Sequence, residues 1–126
     1  MLQGIFPVIP TLFTARNELD LVAQRRVLRF ALDAGAQGIV FPGVASEYGH
    51  LSPSERGQLL ALAAEEAGGK VPLVGGASAA TAADVIAVGT LALRHGIRHL
   101  MIMAPVGKDN ISPSKGVAPI AAYKVA

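Results

Sequence analysis

The sequence contains no cysteine and no tryptophan, and only 16% of its residues are charged. The absence of cysteine excludes a disulfide framework, a thiolate zinc site and a cysteine nucleophile from this chain. The formal net charge is only +2, and the basic residues are dispersed, so we expect no nucleic-acid partner. No run of eighteen apolar residues occurs, and no membrane partner is therefore expected.

Apolar side chains are abundant instead, at 52% of the 126 residues. This composition excludes a charge-extended, disordered chain. No linker or low-complexity segment divides the sequence, so residues 1–126 are predicted to form a single domain. The first ten residues lack a basic region and are interrupted by Pro7 and Pro10, unlike a secretory signal peptide. Together with the lack of cysteine, this favours a cytoplasmic protein.

Short apolar runs alternate with helical patterns along the chain. The runs at 5–9, 38–42, 71–74 and 99–103 have the length and composition of strands buried on both faces of a parallel sheet. Apolar spacing predicts helices over 21–34, from Pro53 to Gly68, and from Thr81 to Gly96, with a short fourth helix over 117–125. The second helix opens with the capping box of residues 52–55.

The first predicted helix has two distinct faces. Helical spacing places four residues on the core-facing side: Val27, Phe30, Ala31 and Ala34. The same spacing assigns to the opposite, solvated side Arg25, Arg29 and Asp33. We therefore expect this helix to cover the sheet with its apolar side.

The alternation of strands and helices predicts an α/β fold with a parallel sheet and right-handed crossovers. Two architectures fit the pattern. One is an open, doubly wound sheet of four or more strands. The other is half of a closed (β/α)8 barrel, because a complete barrel needs about 250 residues. The pattern alone does not separate them.

In parallel α/β folds, ligands bind at the carboxyl ends of the strands. Those ends carry Thr11 and the segments 43–47, 75–78 and 104–106. These segments contain glycine, hydroxyl side chains and one glutamate, but no lysine, histidine or arginine. Such a site suits a small anion bound by backbone N–H groups and hydroxyls, and it offers few general bases.

The loop Gly43, Val44, Ala45, Ser46, Glu47 is the strongest candidate site. Glycine lets the backbone turn sharply and approach a ligand, and successive N–H groups can then bind a carboxylate. Ser46 adds a hydroxyl, and Glu47 is a candidate general acid or base. The alternative is an ordinary turn in which Glu47 caps a helix or pairs with a surface cation.

Motifs for cofactors and metals are missing. The segment 75–78 lacks the dinucleotide fingerprint, and its glycines are equally explained by a strand end that crowds its neighbour. The three histidines are not spaced like metal ligands. No lysine falls inside a predicted strand, where a buried amine could form a Schiff base. We therefore expect no cofactor and no metal.

The order of these pieces resembles the dihydrodipicolinate synthase / N-acetylneuraminate lyase family from residue 4 to about 105. The matching features are the segments 4–14, 33–35, 38–40, Gly43-x-x-x-Glu47, 51–56 and 71–78. The resemblance implies a homo-oligomeric (β/α)8 TIM barrel, of which this chain covers about the first four βα units, the N-terminal half. It further implies a lyase of the class I aldolase type that binds pyruvate or another small 2-keto acid as a Schiff base. A sugar-acid dehydratase on the same scaffold is the alternative.

Three departures from the family pattern bear on that expectation. The family loop reads Gly-Thr-Thr-Gly-Glu, whereas Val44 and Ala45 replace the threonines here and Ser46 replaces the second glycine. The tyrosine that follows the fourth strand is Val106. The Schiff-base lysine belongs to a sixth strand, which these residues do not reach.

The resemblance therefore implies substrate-binding residues in this chain, namely Thr11, Gly43, Val44, Ala45, Ser46 and Glu47, and no catalytic residue. Two interpretations stay open at this point. The chain is either a piece of a longer enzyme or a non-catalytic carboxylate-binding fragment.

Overall fold

The computed structural model describes residues 2–103. The helices are α1 (Leu21–Asp33), α2 (Pro53–Ala67) and α3 (Ala82–Arg94), and the strands are β1 (Ile39–Val40), β2 (Leu73–Gly76) and β3 (His99–Met101). Two short 3₁₀ turns, Val44–Ser46 and Tyr48–His50, connect β1 to α2. The strands form a parallel sheet in the order β1-β2-β3, which confirms the predicted parallel α/β pattern. The predicted fourth helix lies outside the described residues.

The apolar segment 5–9 lies beside β1 but is less regular than predicted. It makes one isolated parallel bridge, between Val8 and Val40. The Ile9 N–H donates to the Val40 carbonyl at 3.2 Å, and the Val40 N–H donates to the Pro7 carbonyl at 3.0 Å. Proline has no N–H to donate to a ladder, and the strand predicted over 5–9 is therefore reduced to this bridge.

The third predicted strand lies nearer the C-terminus than expected: the predicted run was 71–74, and β2 spans Leu73–Gly76. Leu73 pairs with Ile39, and Gly76 pairs with Met101. The glycine pair Gly75 and Gly76 therefore belongs to β2 and not to the loop that follows it.

The core lies between the helices and the sheet, and it is centred on Leu28, Ile39, Phe41, Leu59 and Leu60, all fully buried. On α1, Val27 and Ala31 pack against this core as predicted. The predictions for Phe30 and Ala34 were wrong, because the Phe30 side chain is 74% exposed and Ala34, after the end of the helix, is exposed as well. Phe30 follows Leu28 by two residues at about 100° each, and it therefore lies nearly opposite Leu28 on the helix.

Ion pairs join α1 to α2. Arg25 pairs with Glu65 at 2.9 Å and also with Glu66, and Arg29 pairs with Glu66 at 2.6 Å. The Glu66 side chain is only 7% exposed. The arginine side of α1, predicted to be simply solvated, therefore lies against the neighbouring helix.

No helix within residues 2–103 is both long enough and apolar enough to cross a membrane.

Stability should depend on pH through Glu66. Hydrogen bonds from Arg29 and Arg25 lower the pKa of the Glu66 carboxyl below its ordinary value of 4.5. A carboxyl with a lowered folded-state pKa stabilises the fold above its unfolded-state pKa, and this stabilisation is lost as pH falls through the folded-state pKa. We expect Glu66→Gln to lower the thermal unfolding midpoint by a few degrees at neutral pH. The difference from the parent protein should disappear as the pH falls below 4.5 and through the lowered pKa of Glu66.

The matched control is Glu18→Gln, since Glu18 is exposed and makes no side-chain hydrogen bond within residues 2–103. An equal shift for the two variants at neutral pH, measured by circular dichroism, would contradict the role of Glu66.

Candidate functional site

A cavity of about 250 Å³ lies at the carboxyl ends of the three strands. Its walls are formed by Pro42, Gly43, Val44, Tyr48, Gly76, Ser78, Met101, Ile102 and Met103. They come from the end of each strand and from the β1–α2 connection, as expected for a parallel α/β fold. The lining is largely apolar, and its polar side chains are those of Tyr48 and Ser78. Such a space suits a small molecule held mainly by backbone groups and shape.

Ser46 anchors the candidate loop from within. It is fully buried, and its Oγ accepts a hydrogen bond from the Gly43 N–H at 2.8 Å and donates one to the Ile9 carbonyl. The Thr11 hydroxyl donates to the Ser46 carbonyl at 2.6 Å. Both hydroxyls thus bind the chain's own backbone and fix the loop against the N-terminal segment.

The rest of the loop faces outward. Val44 is 63% exposed, and Ala45 and Glu47 are exposed as well. Glu47 adopts a left-handed conformation, with φ of 56°, between the two 3₁₀ turns. Within residues 2–103, its carboxylate makes no hydrogen bond or ion pair. The structure therefore separates the six predicted residues into a buried set, Thr11, Gly43 and Ser46, and an exposed set, Val44, Ala45 and Glu47.

Two backbone donors of this loop are left without acceptors in the described part of the chain. The N–H groups of Ser46 and Glu47 donate to the carbonyls of Gly43 and Val44, both at 3.0 Å. The first N–H groups of a helical turn have no partner within it, and those of Val44 and Ala45 find no acceptor among residues 2–103. These two N–H groups are therefore available to an acceptor outside the described residues.

Sequence reasoning gave no role to Arg56, whose side chain connects two walls of the cavity. Its Nη1 donates to the Ser78 carbonyl at 2.9 Å, and its Nη2 donates to the Tyr48 carbonyl at 2.8 Å. The guanidinium carbon also lies 5.3 Å from the centre of the Tyr48 ring. A signal was available, because Arg56 precedes the buried Leu59, Leu60 and Ala63 by three, four and seven residues and so shares their helix face.

Burial shapes the electrostatics of Arg56. The residue is 8% exposed, and loss of hydration lowers the pKa of its guanidinium from the ordinary value. None of the ion pairs within residues 2–103 includes Arg56. The nearby Asp84 carboxylate acts on the guanidinium in the opposite direction, but it is not within ion-pair distance.

The histidines lie apart from this cavity. His95 caps the carboxyl end of α3, and His99 begins β3, at the end of the strand away from the cavity. His50 ends the turn that contains Tyr48 but does not line the cavity. Among residues 2–103, no three His, Cys, Asp or Glu side chains gather as metal ligands would.

Glycine is required at the end of β2. A Cβ atom on Gly76 would lie 1.6 Å from the Pro42 carbonyl oxygen, which is a backbone atom. The interpretation of this glycine as a close approach between neighbouring strand ends is therefore confirmed. Gly76 and Pro42 both line the cavity.

The model of the Dihydrodipicolinate synthetase family matches residues 1–107. The chain belongs to this family. Among its relatives, the L-2-keto-3-deoxyarabonate dehydratase of Azospirillum brasilense is 39% identical over 72 residues, which are 57% of this chain and 23% of the relative. A 4-hydroxy-tetrahydrodipicolinate synthase from Stenotrophomonas maltophilia is 32% identical over 104 residues, which are 82% of this chain and 35% of the relative. The chain thus spans about a quarter to a third of these relatives.

Solved structures of the dihydrodipicolinate synthase family share the fold. A prophage protein of this family from E. coli K12, crystallised with pyruvate, superposes with a TM-score of 0.86 at 23% identity. The match covers 95% of this chain and 40% of that protein. The predicted (β/α)8 barrel class is therefore confirmed, with this chain as part of a barrel, and the doubly wound alternative is excluded.

Replacing Ser46 by alanine tests the anchor of the family loop. The change leaves the buried Gly43 N–H and the Ile9 carbonyl without a partner, and each unsatisfied group costs about 1–3 kcal/mol. We expect Ser46→Ala to lower the free energy of unfolding accordingly in chemical denaturation. Ser54→Ala is the control, because Ser54 is exposed near the start of α2. Equal stability of the two variants would contradict the anchoring role.

Replacing Gly76 by alanine tests the close approach of the strand ends. The new methyl group would overlap the Pro42 carbonyl, and relieving such overpacking costs about 1–3 kcal/mol or more. The control is Gly49→Ala, since a Cβ there meets nothing within 4 Å. We expect Gly76→Ala, but not Gly49→Ala, to lower the midpoint of urea unfolding. A wild-type midpoint for Gly76→Ala would show that the strands are farther apart.

Proposed function

We propose that this chain supplies about the first four βα units of a class I lyase that binds pyruvate or another 2-keto acid as a Schiff base. The observation that carries the proposal is the family match over residues 1–107. The names of two family members support it, a 4-hydroxy-tetrahydrodipicolinate synthase and a family protein crystallised with pyruvate.

In this proposal, the chain holds the carboxylate of the keto acid. The N–H groups of Val44 and Ala45 are donors without an acceptor among residues 2–103, and Val44 borders the cavity. Successive backbone N–H groups can bind a carboxylate without a charged side chain. Thr11 and Ser46 contribute by keeping the turn in shape, and Glu47 is the candidate proton donor or acceptor of this part of the site.

The reactive amine is proposed to come from a lysine outside residues 1–126. No lysine lines the described cavity, and the resemblance assigns the Schiff-base lysine to a later strand. That amine would condense with the keto carbonyl and release water. The resulting protonated imine would withdraw electrons from the neighbouring carbon, which can then form or break a carbon–carbon bond.

Assembly belongs to the same proposal. Leu100, Met101 and Met103, on and after β3, expose 41%, 36% and 43% of their surfaces. Apolar surface of this kind requires a cover, which the remainder of a barrel or another subunit would supply. We propose a homo-oligomeric, cytoplasmic protein in which residues 1–126 belong to a single domain.

A sugar-acid dehydratase is the second candidate. It is favoured by the identity of 39% to the Azospirillum brasilense dehydratase. It is also compatible with Val44 and Ala45 in place of the family's threonines, because a hydroxyl relay through those two positions is lost. Such an enzyme would share the Schiff base, remove a proton from the carbon next to the imine and release a substrate hydroxyl group as water.

Borohydride trapping tests both candidates. The natural protein is incubated with pyruvate, reduced with borohydride, and measured by intact-mass spectrometry and peptide mapping. We expect one reduced pyruvate per chain, attached to a lysine outside residues 1–126. Protein reduced without pyruvate is the control.

Two outcomes would contradict the proposal. A protein without any adduct would support a carboxylate-binding fragment, and an adduct on a lysine within residues 1–126 would contradict the assigned position of the amine. If pyruvate is trapped, turnover of a 2-keto-3-deoxy sugar acid without carbon–carbon cleavage would favour the dehydratase.

A further inference from the structure

The Arg56 side chain binds two of the segments that border the cavity, and one of these segments in turn binds the third. Its two terminal nitrogens bind the carbonyls of Tyr48, in the β1–α2 connection, and of Ser78, after β2. The Ser78 hydroxyl in turn accepts a hydrogen bond from the Met103 N–H at 2.8 Å, after β3. Tyr48, Ser78 and Met103 all line the cavity, whereas Arg56 lies behind it.

Stability alone does not account for an arginine at this position. Burying a guanidinium with no carboxylate within ion-pair distance carries a desolvation cost, which the more distant Asp84 offsets only in part, because the pKa of Arg56 stays lowered. An apolar side chain beside Leu59 and Leu60 would avoid that cost. A planar fork, in contrast, reaches two carbonyls from two different nitrogen atoms and presents a flat face to the Tyr48 ring. The structure uses all of these properties at once.

We propose that Arg56 is a positioning residue, which fixes the spacing of the Tyr48 and Ser78 walls so that the cavity accepts the carboxylate end of a 2-keto acid. The ligand class rests on the proposed function. The fixing of the two walls rests only on the contacts of Arg56.

Three variants of the natural protein test this role. Arg56→Met removes the charge and keeps much of the length, and Arg56→Lys keeps the charge and removes the fork. Arg26→Lys is the control, because Arg26 is exposed on α1 and makes no side-chain hydrogen bond within residues 2–103. The measurements are hydrogen–deuterium exchange of peptides covering 43–50 and 76–80, and the pyruvate concentration that half-saturates borohydride trapping.

We expect both Arg56 variants to exchange about tenfold faster in these two peptides, with α1 unchanged, because a charged hydrogen bond to each loop is lost or weakened. Half-saturation should need about tenfold more pyruvate, while the trapped fraction at saturation stays the same. Arg26→Lys should match the parent in every measurement. Should Arg56→Met fail to fold, Arg56→Lys decides.

Three outcomes overturn the proposal. They are unchanged exchange in both peptides, faster exchange throughout the chain including α1, and full recovery of the parent values by Arg56→Lys, which would make the charge and not the fork responsible. If the parent protein traps no pyruvate, the proposed function fails on its own. Local acceleration in the two peptides would then still support the positioning role and overturn the ligand class.

Discussion

The buried hydroxyl of Ser46 joins parts of the chain that the sheet by itself connects poorly. Pro7 and Pro10 donate no backbone hydrogen bonds, and the segment 5–9 therefore has a single bridge to β1. Ser46 compensates by donating to the Ile9 carbonyl while it accepts from the Gly43 N–H. These two hydrogen bonds hold the turn after β1 against the N-terminal segment. They thereby fix the position of this edge of the sheet and of the cavity wall that the turn forms.

The same constraint determines what the cavity can offer a ligand. Because Ser46 closes the turn internally, the free donors of the loop are backbone N–H groups and not hydroxyls. Gly76 brings the end of β2 so close to Pro42 that no side chain fits between them. The described cavity is therefore bordered largely by backbone, with Arg56 behind it, and such a lining is compatible with a small anion.

Features fixed by neighbouring residues were predictable from the sequence, and features fixed across space were not. Ser52 and Glu55 form the predicted capping box, with each side chain accepting from the other's backbone N–H at 3.2 and 2.8 Å. The inward side of α1 was misjudged at Phe30. The Gln24 side chain on that helix accepts from the Leu12 N–H and donates to the Pro10 carbonyl, and these contacts help to set the rotation of the helix. The place of the site was predictable from strand ends, whereas the role of Arg56 depends on two loops 8 and 22 residues away.

The loop after β1 departs from its family pattern at Val44, Ala45 and Ser46. One hydroxyl is gained at Ser46 where two are lost at Val44 and Ala45, and a simple exchange of roles would move the relay by one residue. The structure opposes that exchange, since the Ser46 hydroxyl is fully buried and engaged as both donor and acceptor. The polar side chains that do border the cavity are those of Tyr48 and Ser78. The carboxylate binding proposed above depends on backbone N–H groups, and the loss of the two threonine hydroxyls does not remove them.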